Sequence, residues 1–108
     1  MRYPFEKQFV ICIGGRCNRP DRGEDRGEII QAELKALNKS LGRKPTVRVC
    51  TVSCLDLCDY GPNIIVWPEG TVYSHLDRDS ARRVYEGEMG DGEPADDKRL
   101  REEELGDR

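Results

Sequence analysis

Four short runs of apolar and β-branched residues are separated by polar stretches that contain glycine and proline. Runs of this length and composition predict β-strands, at residues 8–13, 46–52, 63–67 and 71–74. The last two runs flank Pro68, Glu69 and Gly70, which are residue types that favour a tight turn, so these runs are predicted to form a β-hairpin. Trp67, at the end of the third run, is interpreted as a core residue.

Between the first and second predicted strands, apolar residues recur at the spacing of an α-helix. The stripe consists of Ile30, Leu34, Leu37 and Leu41. Asp21 or Asp25 is expected to cap the start of this helix, and Gly42 and Pro45 are expected to end it. The pattern therefore predicts one amphipathic helix whose apolar side lies against the sheet.

A second helix is predicted over residues 77–85, with Asp77 or Asp79 at its start and Gly87 at its end. The element order is then β-α-β-β-β-α. Two strands joined by a helix pair in parallel through a right-handed connection, and the hairpin extends the sheet. The sequence thus predicts an α/β fold, a four-stranded mixed sheet flanked by helices.

The C-terminal residues differ in composition from the rest of the chain. Residues 91–108 carry four basic and eight acidic side chains, together with glycine and proline. Segments of this composition have little apolar surface to bury. We therefore expect one domain over residues 1–88 and a charged, flexible tail over residues 89–108.

Composition and charge limit the classes of function. Hydrophobic and charged residues each make up 36% of the chain, so the core is thin and a bound metal centre would add folding free energy. No basic stripe with interleaved aromatic residues is present, and nucleic acid is not expected as a partner. No signal peptide or run of about 20 apolar residues is found, so no membrane association is expected. Five cysteines, an odd number, favour a reducing, cytoplasmic location.

Four of the five cysteines form two close pairs. Cys12 and Cys17 have four residues between them, and Cys54 and Cys58 have three. Cys12 ends the first predicted strand and Cys54 follows the second, and the carboxyl ends of parallel strands meet at one edge of a sheet. Both pairs are therefore expected at that edge, where their thiolates would converge on a thiophilic metal centre.

Two kinds of metal centre fit such a cysteine set, an iron–sulfur cluster and structural zinc. The spacing favours a [2Fe–2S] cluster, because zinc knuckles prefer two residues between paired cysteines. His75 is the only histidine, which excludes a Rieske centre, and the absence of C-x-x-C disfavours a thiol–disulfide enzyme. Cys50 lies within a predicted strand and is interpreted as a small buried hydrophobe, with a competing pair of Cys50 and Cys54 left open.

The cysteine segments CIGGRC and CLDLCDYGPNIIVWPEGTVYSHL resemble those of the thioredoxin-like [2Fe–2S] ferredoxins. The same module is found in the small peripheral iron–sulfur subunit of bacterial NADH:quinone oxidoreductases. The similarity covers residues 8–86. It implies a thioredoxin-like fold in which Cys12, Cys17, Cys54 and Cys58 ligate one [2Fe–2S] cluster. The resemblance also implies a homodimer that transfers single electrons, as expected for stand-alone members of the family.

These observations together give the functional expectation. The chain is expected to be a one-electron carrier that transfers electrons between redox protein partners, alone or as a subunit of a larger oxidoreductase, and not an enzyme in itself. A homodimer is expected from the resemblance. The alternative is a structural or regulatory zinc-binding module without electron transfer.

Overall fold

The computed structural model describes residues 1–2, 4–15, 18–20, 23–55 and 57–105, apart from the side chains of Cys58 and Leu105. The elements, in chain order, are β1 (Lys7–Cys12), α1 (Gly27–Ser40), β2 (Val47–Val52), β3 (Ile64–Trp67), β4 (Thr71–Tyr73), α2 (Arg78–Met89) and α3 (Glu102–Leu105). Short 3-10 turns cover Cys58–Tyr60 and Asp96–Lys98.

The four strands form one mixed sheet in the order β2-β1-β3-β4. β1 pairs in parallel with β2, with Cys12 opposite Val52, and antiparallel with β3, with Ile11 opposite Ile64. β4 pairs antiparallel with β3 and completes the hairpin. The predicted order β-α-β-β-β-α and the four-stranded mixed sheet are therefore confirmed.

One face of the sheet carries the hydrophobic core. Alternate residues of the strands point to this face, where α1 and α2 pack against them and against each other. The strand residues in the core are Phe9, Ile11, Val47, Val49, Ile64, Val66 and Tyr73. The helices contribute Ile30, Leu34, Ala81, Val84 and Tyr85. The opposite face, which includes Val10, Ile65 and Val72, lies outside this core cluster.

Helix α1 begins later than the sequence indicates. Its N-cap is Arg26, which makes no capping hydrogen bond, and Asp25 instead accepts a hydrogen bond from the backbone N–H of Arg78 at 3.0 Å. Asp25 therefore contacts the start of α2, and Asp21 lies outside the described residues. The helix ends at Ser40, and Leu41 is 47% exposed, so the predicted apolar stripe stops at Leu37.

Helix α2 begins as predicted but runs further. Asp77 is the N-cap, and its carboxylate accepts the backbone N–H of Ser80 at 2.8 Å, which holds the pKa of Asp77 below its ordinary value. The helix passes Gly87 and ends at Met89, with Gly90 in the left-handed conformation at φ 79°. No helix among the residues described here is long and apolar enough to cross a bilayer.

The segment after α2 returns to the sheet. Ala95 is buried in the core cluster, Arg99 forms a β-bridge with Tyr73, and the N–H of Leu100 donates to the carbonyl of Val72 at 2.9 Å. The predicted boundary at residue 88 thus differs from the packing, because residues 95–100 contact the domain through one buried side chain and backbone hydrogen bonds. Flexibility of the tail stays a prediction.

Gly87 lies where the returning segment crosses α2. A Cβ atom at this position would lie 2.8 Å from the carbonyl oxygen of Glu93 and 3.0 Å from the Cα of Pro94. Gly87 is therefore required by the close approach of two backbones, and it does not end the helix.

We predict that Gly87→Ala destabilises the protein, although alanine favours helix formation by about 1 kcal/mol over glycine. The added methyl group displaces residues 93–95, and overpacking of this kind costs about 1–3 kcal/mol. Urea unfolding followed by circular dichroism measures the effect. Gly92→Ala is the matched control, because its nearest contact, with Glu86, is at an ordinary 3.4 Å. Unchanged or increased stability of the Gly87 variant would contradict the crossing.

Candidate metal centre

Two of the predicted ligands lie at one edge of the sheet. Cys12 is the last residue of β1 and is fully buried. Its neighbour in the parallel register is Val52, the last residue of β2, and Cys54 follows two residues later with an exposed side chain. Because both strands run in the same direction, the structure brings the segments that carry Cys12 and Cys54 to the same edge.

The loops that follow the two strands pack directly against each other. The N–H of Ile13 donates to the carbonyl of Val52 at 2.9 Å, and the Sγ atom of Cys12 lies 3.9 Å from the carbonyl oxygen of Ser53. A Cβ atom on Gly14 would lie 2.5 Å from that same oxygen. Glycine is therefore required at this position, because any side chain would separate the two loops.

Asn18 fixes the first loop, and its importance was missed from the sequence. The side chain is only 4% exposed. Its Nδ2 donates to the carbonyls of Cys12 at 3.2 Å and Gly14 at 2.8 Å, and its Oδ1 accepts the N–H of Gly27 at 2.5 Å. Asn18 thus performs from a distance the capping of α1 that was expected from Asp21 or Asp25. The one sequence feature that could have indicated this role is the position of Asn18 directly after Cys17.

The start of α1 lies directly against the end of β1. A Cβ atom on Gly27 would fall on the carbonyl oxygen of Cys12. The helix N-terminus, which carries partial positive charge, therefore lies against the backbone of the first predicted ligand. This placement favours an anionic group such as a thiolate nearby, and it needs glycine as the first helical residue.

Asn63 fixes the second loop in a similar way and was also missed. It is fully buried, its carbonyl accepts the N–H of Cys12 at 3.1 Å, and its Nδ2 donates to the carbonyl of Leu57 at 2.8 Å. Its Oδ1 has no hydrogen-bond partner among the residues that the structure describes. One asparagine therefore connects the end of β1 to the loop that precedes Cys58.

The turn Cys58–Tyr60 is anchored to the C-terminal half of the chain. The carbonyl of Tyr60 accepts the N–H of His75 at 2.7 Å, and its hydroxyl donates to the carbonyl of Glu104 at 2.9 Å. His75 is exposed and has a positive φ of 52°. Its backbone N–H thus helps to hold the turn that begins with Cys58.

Cys50 and Trp67 differ from their predicted burial. Cys50 is partly exposed on the helix-free face of β2, where its sulfur accepts a hydrogen bond from Nε2 of Gln8 at 3.1 Å. Trp67 was interpreted as a core residue, and this interpretation is wrong, since 45% of it is exposed. Both residues lie on the sheet face that α1 and α2 leave uncovered, a face that sequence alternation alone does not distinguish from the core face.

The other two predicted ligands are Cys17 and Cys58. Cys17 lies outside the described residues, and Cys58 begins a 3-10 turn with its side chain outside them. Within the described part of the chain, no group of three or more metal-ligating side chains is found. The four-cysteine set therefore stays a prediction. Two cysteines on adjoining loops nevertheless fit a centre that takes thiolate ligands from two segments.

Comparison of sequences gives relatives of one kind. No family model matches the chain. It is 26% identical over 89 residues to a protein named "Ferredoxin, 2Fe-2S" from Clostridium pasteurianum, an alignment that covers 79% of this chain and 86% of the relative. A protein of the same name from Aquifex aeolicus is 23% identical over 94 residues, with 83% of this chain and 85% of the relative covered.

Comparison of structures gives the same fold. The wild-type thioredoxin-like [2Fe–2S] ferredoxin from Aquifex aeolicus superposes with a TM-score of 0.66 at 20% identity, covering 93% of this chain and 100% of that chain. Another structure of a thioredoxin-like [2Fe–2S] ferredoxin from the same organism gives a TM-score of 0.71 at 20% identity, with 92% and 93% covered. The predicted resemblance is therefore confirmed: the chain is similar to the thioredoxin-like [2Fe–2S] ferredoxins in sequence and shares their fold.

Proposed function

We propose that this chain holds one [2Fe–2S] cluster on Cys12, Cys17, Cys54 and Cys58 and carries single electrons between redox protein partners. The observation that carries the proposal is the contact between the two cysteine-bearing loops, where Gly14 packs against Ser53 at the carboxyl ends of β1 and β2. The relatives named as 2Fe–2S ferredoxins support the choice of cluster over zinc.

The two predicted ligands whose side chains the structure describes differ in their exposure to solvent. When bound, the cluster supplies reversible one-electron chemistry, and all-thiolate ligation of the plant-ferredoxin type gives potentials of roughly −400 mV. Cys12 is fully buried, which keeps water from one side of the site, whereas Cys54 is exposed. The side of Cys54 is therefore the side at which a partner approaches. Asn18 and Asn63 hold the ligand loops in place before and after electron transfer.

The ferredoxin relatives are electron-transfer proteins and not enzymes, and we propose the same for this chain. No bond-breaking step is assigned to any of its residues. We further propose that the protein is cytoplasmic. The support is the odd number of cysteines, five, which fits a reducing compartment. Membership of a larger oxidoreductase is a second form of the same electron-carrying function, because the same module serves in both settings.

The first prediction from this proposal concerns the ligands. The purified protein is expected to be red-brown, to contain two iron atoms and two sulfides per chain, and to bleach with dithionite while gaining an electron spin resonance signal. Cys17→Ser and Cys58→Ser should lose or greatly destabilise the cluster. Cys50→Ala is the matched control and should keep the spectrum. A colourless protein with stoichiometric zinc, or a normal spectrum in Cys58→Ser, would contradict the proposal.

The second prediction concerns Asn18. Asn18→Ala leaves the carbonyls of Cys12 and Gly14 and the N–H of Gly27 without their partner, at about 1–3 kcal/mol for each buried group. We expect the cluster to be lost to a chelator about tenfold faster or more, since 1.4 kcal/mol corresponds to a factor of ten. Visible absorbance against time measures the loss.

Asn38→Ala is the control for general destabilisation. Asn38 is also 4% exposed, and its side chain makes two hydrogen bonds against the three of Asn18, one to the carbonyl of Val47 and one from the hydroxyl of Tyr85, at the opposite end of α1. It should lower the midpoint of urea unfolding in the same way while leaving the electron spin resonance line shape unchanged. Equal cluster loss and equal line shapes in the two variants would show that Asn18 has no specific effect on the site.

We also propose that the chain is a homodimer. On the helix-free face of the sheet, Val10, Ile65 and Val72 form an apolar row, and Trp67 is 45% exposed beside it. A sheet face of this kind is stabilised when a second apolar surface covers it. Val10 is buried and Ile65 and Val72 are partly buried, so the support is the exposed Trp67 beside this row together with the family resemblance.

The third prediction tests this interface. Trp67→Glu places a charge in the proposed contact and should weaken the dimer by about tenfold or more, because a tryptophan that becomes buried at an interface contributes strongly to binding. Sedimentation velocity measures the dimer fraction. Leu41→Glu changes an equally exposed apolar residue at the end of α1 and should leave the dimer intact. A monomeric parent protein, or a dimeric Trp67 variant, would contradict the proposal.

A further inference from the structure

A groove between α1 and the edge of β2 is lined by both apolar and cationic side chains. It has a volume of about 120 Å³ and is lined by the apolar side chains of Val47 and Val49. Four cations also line it, Lys35, Lys39, Lys44 and Arg48. We call this feature the β2-edge groove. A small apolar cleft surrounded by positive charge attracts an anionic ligand.

The cations of the groove form no ion pair with the carboxylates that the structure describes. Within the described residues, no carboxylate lies within ion-pair distance of any of the four, whereas the neighbouring Arg43 is paired with Asp91 at 2.7 Å. Arg48 is held in place by stacking its guanidinium over the ring of Phe5, 5.9 Å from the ring centroid. The positive charge is thus available to a partner.

The outer side of β2 pairs with no other strand among the described residues. Within the described sheet β2 pairs only with β1, and the carbonyls of Thr46 and Val52 accept hydrogen bonds from that side. Because the pairing direction alternates along a parallel strand, the N–H and C=O groups of Val49 and Thr51 point away from the sheet. Val47 is different, since its N–H and C=O bond to Arg43 and Asn38.

From these two observations we propose that the β2-edge groove binds an acidic, extended segment of a protein partner. The segment adds a strand to β2 by pairing with Val49 and Thr51, and its carboxylates contact the lysines of α1 and the 44–48 segment. Backbone pairing gives affinity, and the four cations of the groove select an acidic sequence. Recognition of this kind does not require the cluster, although β2 ends two residues before Cys54.

The acidic helix α3 does not occupy the β2-edge groove of its own chain. Glu102–Leu105 follows the segment that pairs with β4, which is at the opposite edge of the sheet from β2. Binding of that helix to the groove of a second copy would join the two edges head to tail and give open-ended chains. Self-association through the groove is therefore an outcome that the test must separate from partner binding.

The experiment uses the whole protein and a labelled eight-residue peptide in which glutamate alternates with threonine. Fluorescence anisotropy should show binding that weakens with salt, and a peptide with lysine in place of glutamate should not bind. Lys35→Glu with Lys39→Glu should weaken binding by about tenfold or more, as expected when two attractive contacts become repulsive. Hydrogen exchange of the Val49 and Thr51 amides should slow when the peptide is bound.

The matched control reverses two cations at the other sheet edge. Arg99→Glu with Arg101→Glu changes net charge by the same amount, on exposed residues next to β4, and should leave peptide affinity within about twofold. Equal loss in both double variants would show a non-specific charge effect and overturn the proposal. Binding without slower exchange at Val49 and Thr51 would overturn strand addition. Concentration-dependent chains that disappear in the Lys35 and Lys39 variant would assign the groove to a second copy.

Discussion

The parallel pairing of β1 and β2 is the constraint on which the site depends. It places the ends of both strands side by side, so that the loop after Cys12 meets the loop before Cys54. The contact is close enough that Gly14 has no room for a side chain beside Ser53, and Gly27 has none beside Cys12. Without these two glycines, the loops and the helix that follows would separate, whatever ligands they carry.

Buried side-chain amides then convert this close contact into a defined geometry. Loops at the end of a sheet leave backbone groups without ladder partners, and each such group costs free energy if it is buried and unsatisfied. Asn18 satisfies three of them and Asn63 satisfies the carbonyl of Leu57. An amide suits this task because it carries a donor and an acceptor on one rigid plane, which a carboxylate does not.

Much of the fold is contained in short-range sequence pattern, and much of the site is not. Alternation and helical spacing predicted all four strands and both long helices within a few residues, because burial of apolar residues follows these periods. The cap of α1 was missed because Asn18 acts across eight intervening residues. The sequence predicts a helix end at Gly87, because glycine is typical both of helix ends and of positions where another backbone passes closely. The structure shows the second case. The location of Cys17 and of the Cys58 sulfur stays a prediction.

The two edges of the sheet differ in what lies against them, and this difference decides which edge can pair with another strand. The β4 edge is covered by the segment around Arg99, whose backbone pairs with Tyr73 and Val72. Within the described sheet, no further strand pairs with the β2 edge, which is flanked by cations, and like charges on facing edges repel two copies of the same chain. The same cations that disfavour pairing between identical edges favour an acidic strand. Protection against self-pairing and selection of a partner therefore arise from one set of side chains.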